Sequence, residues 1–406
     1  MKDSSLPIWN PTCDGYLENP HEHLSILREQ NPVHRGISGH WLAFKYEDVK
    51  WMLTSEKFRV FNLAEHVRLK GKHLADSQDL NDLSLAVSKW LFFVDPPQHR
   101  EFRRLIVKIW NQYRVQAYIE EVVSEAIANL RVKRSADLVE EFAIFIPIKV
   151  LCKITGLDYR YHKDLRAWSR YCARTLEPFA NLKDMVENQR NAKNFFDHIL
   201  GAIDEKTDSP DDSFISRFLI QNRTLEEPIE RKNMASMFML LFFAGIETTI
   251  SVFSQGILSL IRNPRQLKML RENMSISHQA GEELIRMASP TQYTVRIPKE
   301  DFTIRGRHIR KNEAVWLCIA AANRDPEIFD DPENLNFTRP RNPHLGFGHG
   351  AHHCIGAMLA RDEINTALPA FLNNFSHIEL DPERRYEWDT IISNRGLRTL
   401  PVILQP

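Results

Sequence analysis

Cys354 is the residue whose surroundings most invite chemistry. It lies in the run Phe347-Gly-His-Gly-Ala-His-His-Cys354-Ile-Gly-Ala-Met-Leu-Ala-Arg361, where an irregular stretch from Asp325 to Gly350, rich in Pro, Asn, Asp and Gly, gives way to an amphipathic helix running toward Phe375. Gly348 and Gly350 admit backbone angles that a side chain forbids, so the chain here can approach a flat cofactor closely. A sulfur at a helix start meets the positive end of the dipole and free N–H groups, which favour the thiolate. A thiolate held in this way suits the axial position of a haem iron, where it pushes electron density toward O–O cleavage.

The competing readings are packing and zinc. Five cysteines, at 13, 152, 172, 318 and 354, are scattered and odd in number, with no CxxC pair. That is no disulfide framework, and a free Cys is by default a small buried apolar residue. His352, His353 and Cys354 are consecutive, and neighbours on one chain cannot all converge on a tetrahedral metal.

A second group sits in the apolar stretch from Met234 to Ile261, at Ala244-Gly245-Ile246-Glu247-Thr248-Thr249. Gly245 removes bulk, so the expectation is a helix passing close to a ligand there. Thr248 can bond its own preceding turn and loosen the helix locally. Glu247 places a proton carrier in apolar surroundings. A helix N-cap would explain the threonine too, but apolar sequence on both sides disfavours it. Two further pairs share helix faces: Glu283 with Arg286 at three apart, and His99 with Arg103 at four apart after Asp95-Pro-Pro. An exposed pair of that kind contributes only about 0.2–0.5 kcal/mol, so each means little alone.

The elements that must position these residues are mostly helical. Ile119, Val122, Val123, Ala126, Ile127 and Leu130 recur at the spacing of one helix face, within a helical region from Pro97 to about Ile203. A long helix is expected from about Glu230 to Arg262, closed by Asn263-Pro264, and another from about Ser277 to Met287, stopped by Pro290. Strands are expected between Val295 and Leu317 and around Trp41, with a helix from Tyr46 to Leu53. The first 60 residues otherwise read as turns and short β pieces. With 43% hydrophobic and 26% charged residues, a large core is available, and 53 basic against 53 acidic residues give a net charge of zero, which does not point to nucleic acid. Residues 1–9 carry no apolar run of leader length. The central stretch is long enough to span a bilayer, but Glu247, Thr248, Thr249, Ser251 and Gln255 interrupt it, so a buried core helix is expected, and a cytoplasmic protein without a membrane segment.

Taken together, these motifs resemble the cytochrome P450 family. The cysteine run is similar to its signature Phe-Gly-x-Gly-x-His-x-Cys-x-Gly at Phe347, Gly348, Gly350, His352, Cys354 and Gly356. Ala244 to Thr249 resembles its oxygen-activation motif, and Glu283-Leu-Ile-Arg286 its Glu-x-x-Arg pair, in the family's order. Asn323-Arg-Asp-Pro and Asn342-Pro-His-Leu also match soluble bacterial members, so the resemblance spans nearly the whole chain. It implies a mainly α fold with a minor β region, one domain over residues 1–406, helix-rich at about 97–290 and 350–375 and β-rich at about 30–60 and 295–320. Haem b would lie between the central helix and the Cys354 helix. Cys354 would bind the iron, and Phe347 would cover the sulfur side. His99, Arg103, Arg296 and His352 would reach the propionates. Gly348, Gly356 and Ala244 would border the cofactor. Glu247 and Thr248 would deliver protons during dioxygen activation. Arg339 would join Glu283 and Arg286 in locking the cysteine loop.

By the same resemblance, Leu240, Phe243, Ala244, Gln292, Tyr293, Thr294 and Leu397 would line the substrate pocket, with residues 62–93 and 175–183 as variable walls and lid. Such a lining suits an acyl chain, a polyketide or a terpene, free or on a carrier protein, as in bacterial secondary metabolism. Electrons would come from a ferredoxin or flavodoxin and a reductase. Arg104 and Lys108 are expected to be exposed cations that help dock an acidic partner, and the protein is expected to be a monomer. The alternatives are a peroxide-dependent haem enzyme, against which the Glu247-Thr248 pair argues, and a haem sensor or carrier, for which no output domain is visible.

Overall fold

The computed structural model describes residues 6–72, 79–177 and 179–406. Residues 1–5, within the segment inspected for a leader, and 73–78 and 178, within the expected walls and lid, lie outside that description.

The architecture is built round one helix, Arg231–Arg262. It is apolar on nearly every face, as befits a helix surrounded by others. Helices Asn81–Val87, Phe145–Thr155, His162–Thr175, Leu182–Asp208 and Ser277–Ala288 pack against it. Most of its apolar stretch is buried inside the protein, so its length and hydropathy are those of a core element. Pro264 sets its end. Proline lacks an N–H and forces the residue before it out of the helical region. Asn263 accordingly adopts φ −122° and ψ 69°, and Pro264 opens the next helix, Pro264–Glu272. Helix Ser277–Ala288 stops differently. Ser289 takes a left-handed conformation (φ 39°) and its hydroxyl donates to the Arg286 carbonyl at 2.7 Å.

Helix Val115–Arg131 buries the six apolar residues that mark its face and packs against the cysteine helix, Ala357–Asn374. Between residues 323 and 349 no helix or strand forms. That irregular segment carries the cysteine loop across the molecule.

The minor β region centres on a five-stranded sheet in the order Val33–Arg35, Trp41–Ala43, Val315–Cys318, Tyr293–Pro298, Phe58–Val60. Trp41–Ala43 and Val315–Cys318 run parallel, and the other neighbours are antiparallel. In the fourth strand Arg296 is flanked by Val315 on one side and Val60 on the other. A second sheet of Ser135–Asp137, Pro401–Gln405 and His377–Leu380 closes the C-terminus.

The first 60 residues differ from expectation in also holding a full helix, Pro20–Gln30, opened by Pro20 at its first turn. Its buried apolar contacts come from Leu24 and Leu27, too few for a periodic signal. Within residues 62–93 two short helices form, Leu63–Gly71 and Asn81–Val87.

Candidate haem and oxygen-activation site

The cysteine loop is tied to itself before it meets anything else. The Cys354 amide donates to the Phe347 carbonyl at 2.8 Å, and the Gly348 amide donates to Leu345 at 2.8 Å. Gly348 and Gly350 have φ of +69° and +75°, in the region that glycine alone enters cheaply. A Cβ on Gly350 would also meet Thr54 Cγ2 at 3.2 Å and the Leu53 carbonyl at 3.3 Å, so the loop lies flush on helix Tyr46–Thr54.

Cys354 precedes the helix that begins at Ala357. Burial pushes its thiol up, while the Gly356 amide and the charges of Arg103 and Arg361 act to favour the thiolate. Its side chain is half-exposed. The other buried cysteines differ. Burial is the main cause that drives the Cys152 and Cys318 thiols up to about 12, which marks them as apolar packing. Among the described residues, no group of three or more His, Cys, Asp or Glu converges as a metal site would need.

Behind the loop is a lock of buried charge. Glu283 and Arg286 are both fully buried, and two guanidinium nitrogens of Arg286 donate to the carboxylate at 2.8 Å. Arg339 donates to the same carboxylate at 3.1 and 3.3 Å. Asn342 Nδ2 and the Asn336 amide add bonds at 3.1 and 3.0 Å. Arg286 also donates to the carbonyls of Asn323 and Pro332, each at 2.8 Å. The carboxyl of Glu283 is held below its ordinary range by these partners against the opposing effect of burial. The helix that carries Glu283 and the stretch from Asn336 to Asn342 are thereby fixed to one carboxylate.

His99, His352 and Arg296 converge on one region. The rings of His99 and His352 lie 4.1 Å apart between centroids. Burial, then the charges of His99 and Arg296, pushes the His352 imidazole down to about 3. Burial lowers Arg296 to about 10, with Asp95 opposing, and among the described residues its side chain bonds only the neighbouring Val295 carbonyl, at 3.0 Å. His99 is 2% exposed and its Nδ1 has no partner among the described residues. Buried donors without acceptors are costly. The carboxylates of a porphyrin would supply the missing acceptors and charge, so these residues fit that group. Arg103 Nη1 donates to the His353 carbonyl at 2.7 Å, so it also braces the cysteine loop.

On the central helix, Ala244, Gly245 and Thr248 are half-exposed within an otherwise buried run from Phe242 to Val252. Thr248 Oγ1 donates to the Ala244 carbonyl at 2.8 Å, within an unbroken helix. Gly245 does not open space toward a ligand as expected. Its missing Cβ is where Leu151 Cδ1 lies, at 2.9 Å, so the glycine admits helix Phe145–Thr155. Glu247 is buried and forms an ion pair with Arg166 of helix His162–Thr175. Successive helix residues point about 100° apart, so Glu247 and Thr248 face different neighbours.

Of the pocket residues expected from the sequence, Ala244 and Thr294 are half-exposed. Leu240, Phe243 and Leu397 are packed into the main core, with Phe243 stacked on Trp90 at 5.3 Å. Tyr293 is a correction. Strand residues alternate faces, and Tyr293 points away from Thr294 and Arg296 into a separate cluster with Trp9, Leu24 and Phe44. Its hydroxyl bonds Tyr16 and accepts from Trp9 Nε1 at 3.1 Å. Gln292 is also turned inward, its amide donating to the Ser289 carbonyl at 2.6 Å. Arg166, Asn336 and Asn342 carry no local sequence signal for their roles, because each acts across a long sequence separation.

A cysteine in a glycine-permitted loop beside buried basic groups suited to a porphyrin's carboxylates is the arrangement of a haem-thiolate protein. The chain belongs to the cytochrome P450 family, whose model matches residues 50–396. It is 32% identical to cytochrome P450 CYP107DY1 of Priestia megaterium, over 95% of this chain and 97% of that protein. It is 31% identical to the biotin biosynthesis cytochrome P450 of Bacillus subtilis, over 96% and 97%. Its fold is similar to that of P450BioI solved in complex with hexadec-9Z-enoic acid ligated acyl carrier protein, with TM-score 0.86 and 30% identity over 96% of this chain and 100% of that one. The protein is thus a cytochrome P450 monooxygenase whose cofactor is a cysteine-ligated haem.

Proposed function

We propose that the protein hydroxylates or epoxidises a largely apolar small molecule, with one domain over residues 1–406 acting as a monomer in the cytoplasm. When bound, the haem supplies the iron at which dioxygen is activated. Cys354 would be its ligand, with the Gly356 amide aimed at the sulfur and Phe347 beside it. His99, His352 and Arg296 would hold the propionates.

One observation carries the proton-delivery reading: Thr248 sits on the half-exposed stripe of the central helix with Oγ1 bonded to Ala244, next to a buried carboxylate. Glu247 draws its charge balance from Arg166, whose side chain is 15% accessible, which gives the buried acid a link toward solvent. A proton would pass from that side to the Thr248 hydroxyl. Thr248→Ala is expected to leave NAD(P)H consumption running while product per NAD(P)H falls about 10- to 100-fold, within the contribution of a positioned proton-transfer group. Unchanged coupling would remove Thr248 from this role.

The relative bound to an acyl-loaded carrier protein favours an acyl or polyketide-like substrate, free or carrier-borne. Electrons would come from a ferredoxin or flavodoxin and its reductase. Arg104 and Lys108 are exposed on helix Gln98–Trp110, whose Arg103 braces the cysteine loop. Reversing both charges is expected to slow first electron transfer and flatten its salt dependence. Rates and salt slopes equal to wild type would displace the docking face elsewhere.

A further inference from the structure

Beside the cysteine loop is a charged cluster separate from the Glu283 lock. Arg361 lies on the helix that follows Cys354, and its Nε and Nη2 donate to the two carboxylate oxygens of Glu282 at 2.7 and 3.0 Å. His344, whose side chain is 3% exposed, contacts Glu282 through Nε2 at 3.2 Å. The Gly346 amide donates to His344 Nδ1 at 3.2 Å, so a neutral His344 carries its proton on Nε2 and donates to the carboxylate. These partners hold the Glu282 carboxyl at about 2, against the effect of burial. The guanidinium so fixed lies 4.4 Å over the centre of the Phe347 ring. The carbonyl of Phe347 accepts the Cys354 amide.

A surface arginine has no need of such an arrangement. The two-point bond to Glu282 sets the guanidinium plane, and the aromatic face attracts its charge. The result is a positive group of fixed position between the loop that precedes Cys354 and the helix that follows it. Arg361 and the sulfur also act on one another electrostatically, each favouring the other's charged form.

We propose that Arg361 is a positioning residue for the thiolate ligand: anchored by Glu282 and His344, it clamps Phe347 over the sulfur side and sets the electrostatic field that tunes the iron's reduction potential. The proposal rests on the reading of Cys354 as that ligand. Reduction of the ferric haem by one electron adds negative charge at the iron–sulfur unit. A nearby cation favours the reduced form and a nearby anion opposes it.

The experiment is a reductive titration of the haem-loaded protein without any redox partner, which separates this role from partner docking. Arg361→Met removes the cation and leaves Glu282 uncompensated, so the midpoint potential is expected to fall. A change of about tenfold in the reduction equilibrium constant corresponds to ~59 mV for one electron. Glu282→Gln keeps the shape of the anchor and removes its negative charge, so the potential is expected to rise. Arg361→Lys keeps charge without the planar two-point bond and should recover most of the wild-type value. Opposite shifts in the two neutralising variants support the clamp, because simple loosening of the loop would move both in one direction. Shifts of the same sign, or none, overturn it. If Arg361→Met fails to take up haem, the Glu282→Gln and Arg361→Lys pair decides: a rise in the first with near-wild-type potential in the second supports the proposal, and any other pattern overturns it. The reduced carbon monoxide spectrum of the wild type is recorded first. Lack of the thiolate band there would sink the ligand reading itself, whereas a normal band with unmoved potentials sinks only the clamp.

Discussion

The cysteine side of the site and the lid side are built on different physics. Behind Cys354, one carboxylate, Glu283, takes bonds from Arg286, Arg339, Asn342 and Asn336, all within the protein. The side where the lid is expected is held by isolated clasps. Glu177 accepts from the amides of Ile392 and Ser393 at 3.0 and 2.8 Å and from the Ser393 hydroxyl. Arg170 pairs with Asp389 at 2.8 Å, Lys70 donates to the Ala180 carbonyl at 3.3 Å, and Phe179 stacks on Trp9 at 5.8 Å. Elements joined by a few such contacts open at lower free energy than a saturated buried network. The contrast would suit the proposed chemistry: the ligand loop would hold one geometry through every turnover, while a lid on the opposite wall would let substrate in and product out.

The comparison is broken most severely from the buried side. Glu283→Ala strands two guanidinium groups in the interior, and removing one partner of a buried charge pair costs about 3–5 kcal/mol. Loss of haem uptake and a large drop in denaturation midpoint are expected; a small drop would show that the lock is not structural. The second test probes the helix contact beneath the oxygen-activation turn. Gly245→Val drives a branched side chain into Leu151, with a cost at the upper end of the roughly 1–3 kcal/mol typical of overpacking. Adding Leu151→Ala should recover part of that loss in a thermal denaturation cycle, and strict additivity would show that the two residues do not compete for space. The smallest stability effect belongs to the lid. Glu177→Ala should lower global stability by less than about 1 kcal/mol because the clasp opens locally. The entry rate of a bulky azole ligand, measured by stopped flow, should nonetheless rise several-fold. An unchanged rate alongside a large stability loss would make the lid as rigid as the ligand side.

Legibility in the sequence follows the same division. The cysteine loop, the central helix and the Glu-x-x-Arg pair each depend on residues a few positions apart, so spacing and residue type expose them. Pro264 and the glycines at 348 and 350 act on their own backbone, which makes their effects local too. Gly245 shows the limit: its presence signals a close approach, but whether the approaching group is a ligand or Leu151 is a question about another helix. Tyr293 shows it again, since strand alternation could place it on either face until Trp9 and Tyr16 were seen to pack beneath it.

By itself the sequence determined the backbone punctuation, the apolar faces and the presence of a cysteine poised for metal, because these are properties of short segments. Tertiary structure decided which charges far apart in the chain meet. Arg166 finds Glu247 across 81 residues and Arg361 finds Glu282 across 79, with Arg103 reaching the His353 carbonyl across 250. Electrostatic and hydrogen-bond partners are chosen by distance in space, and neither composition nor periodicity encodes that distance.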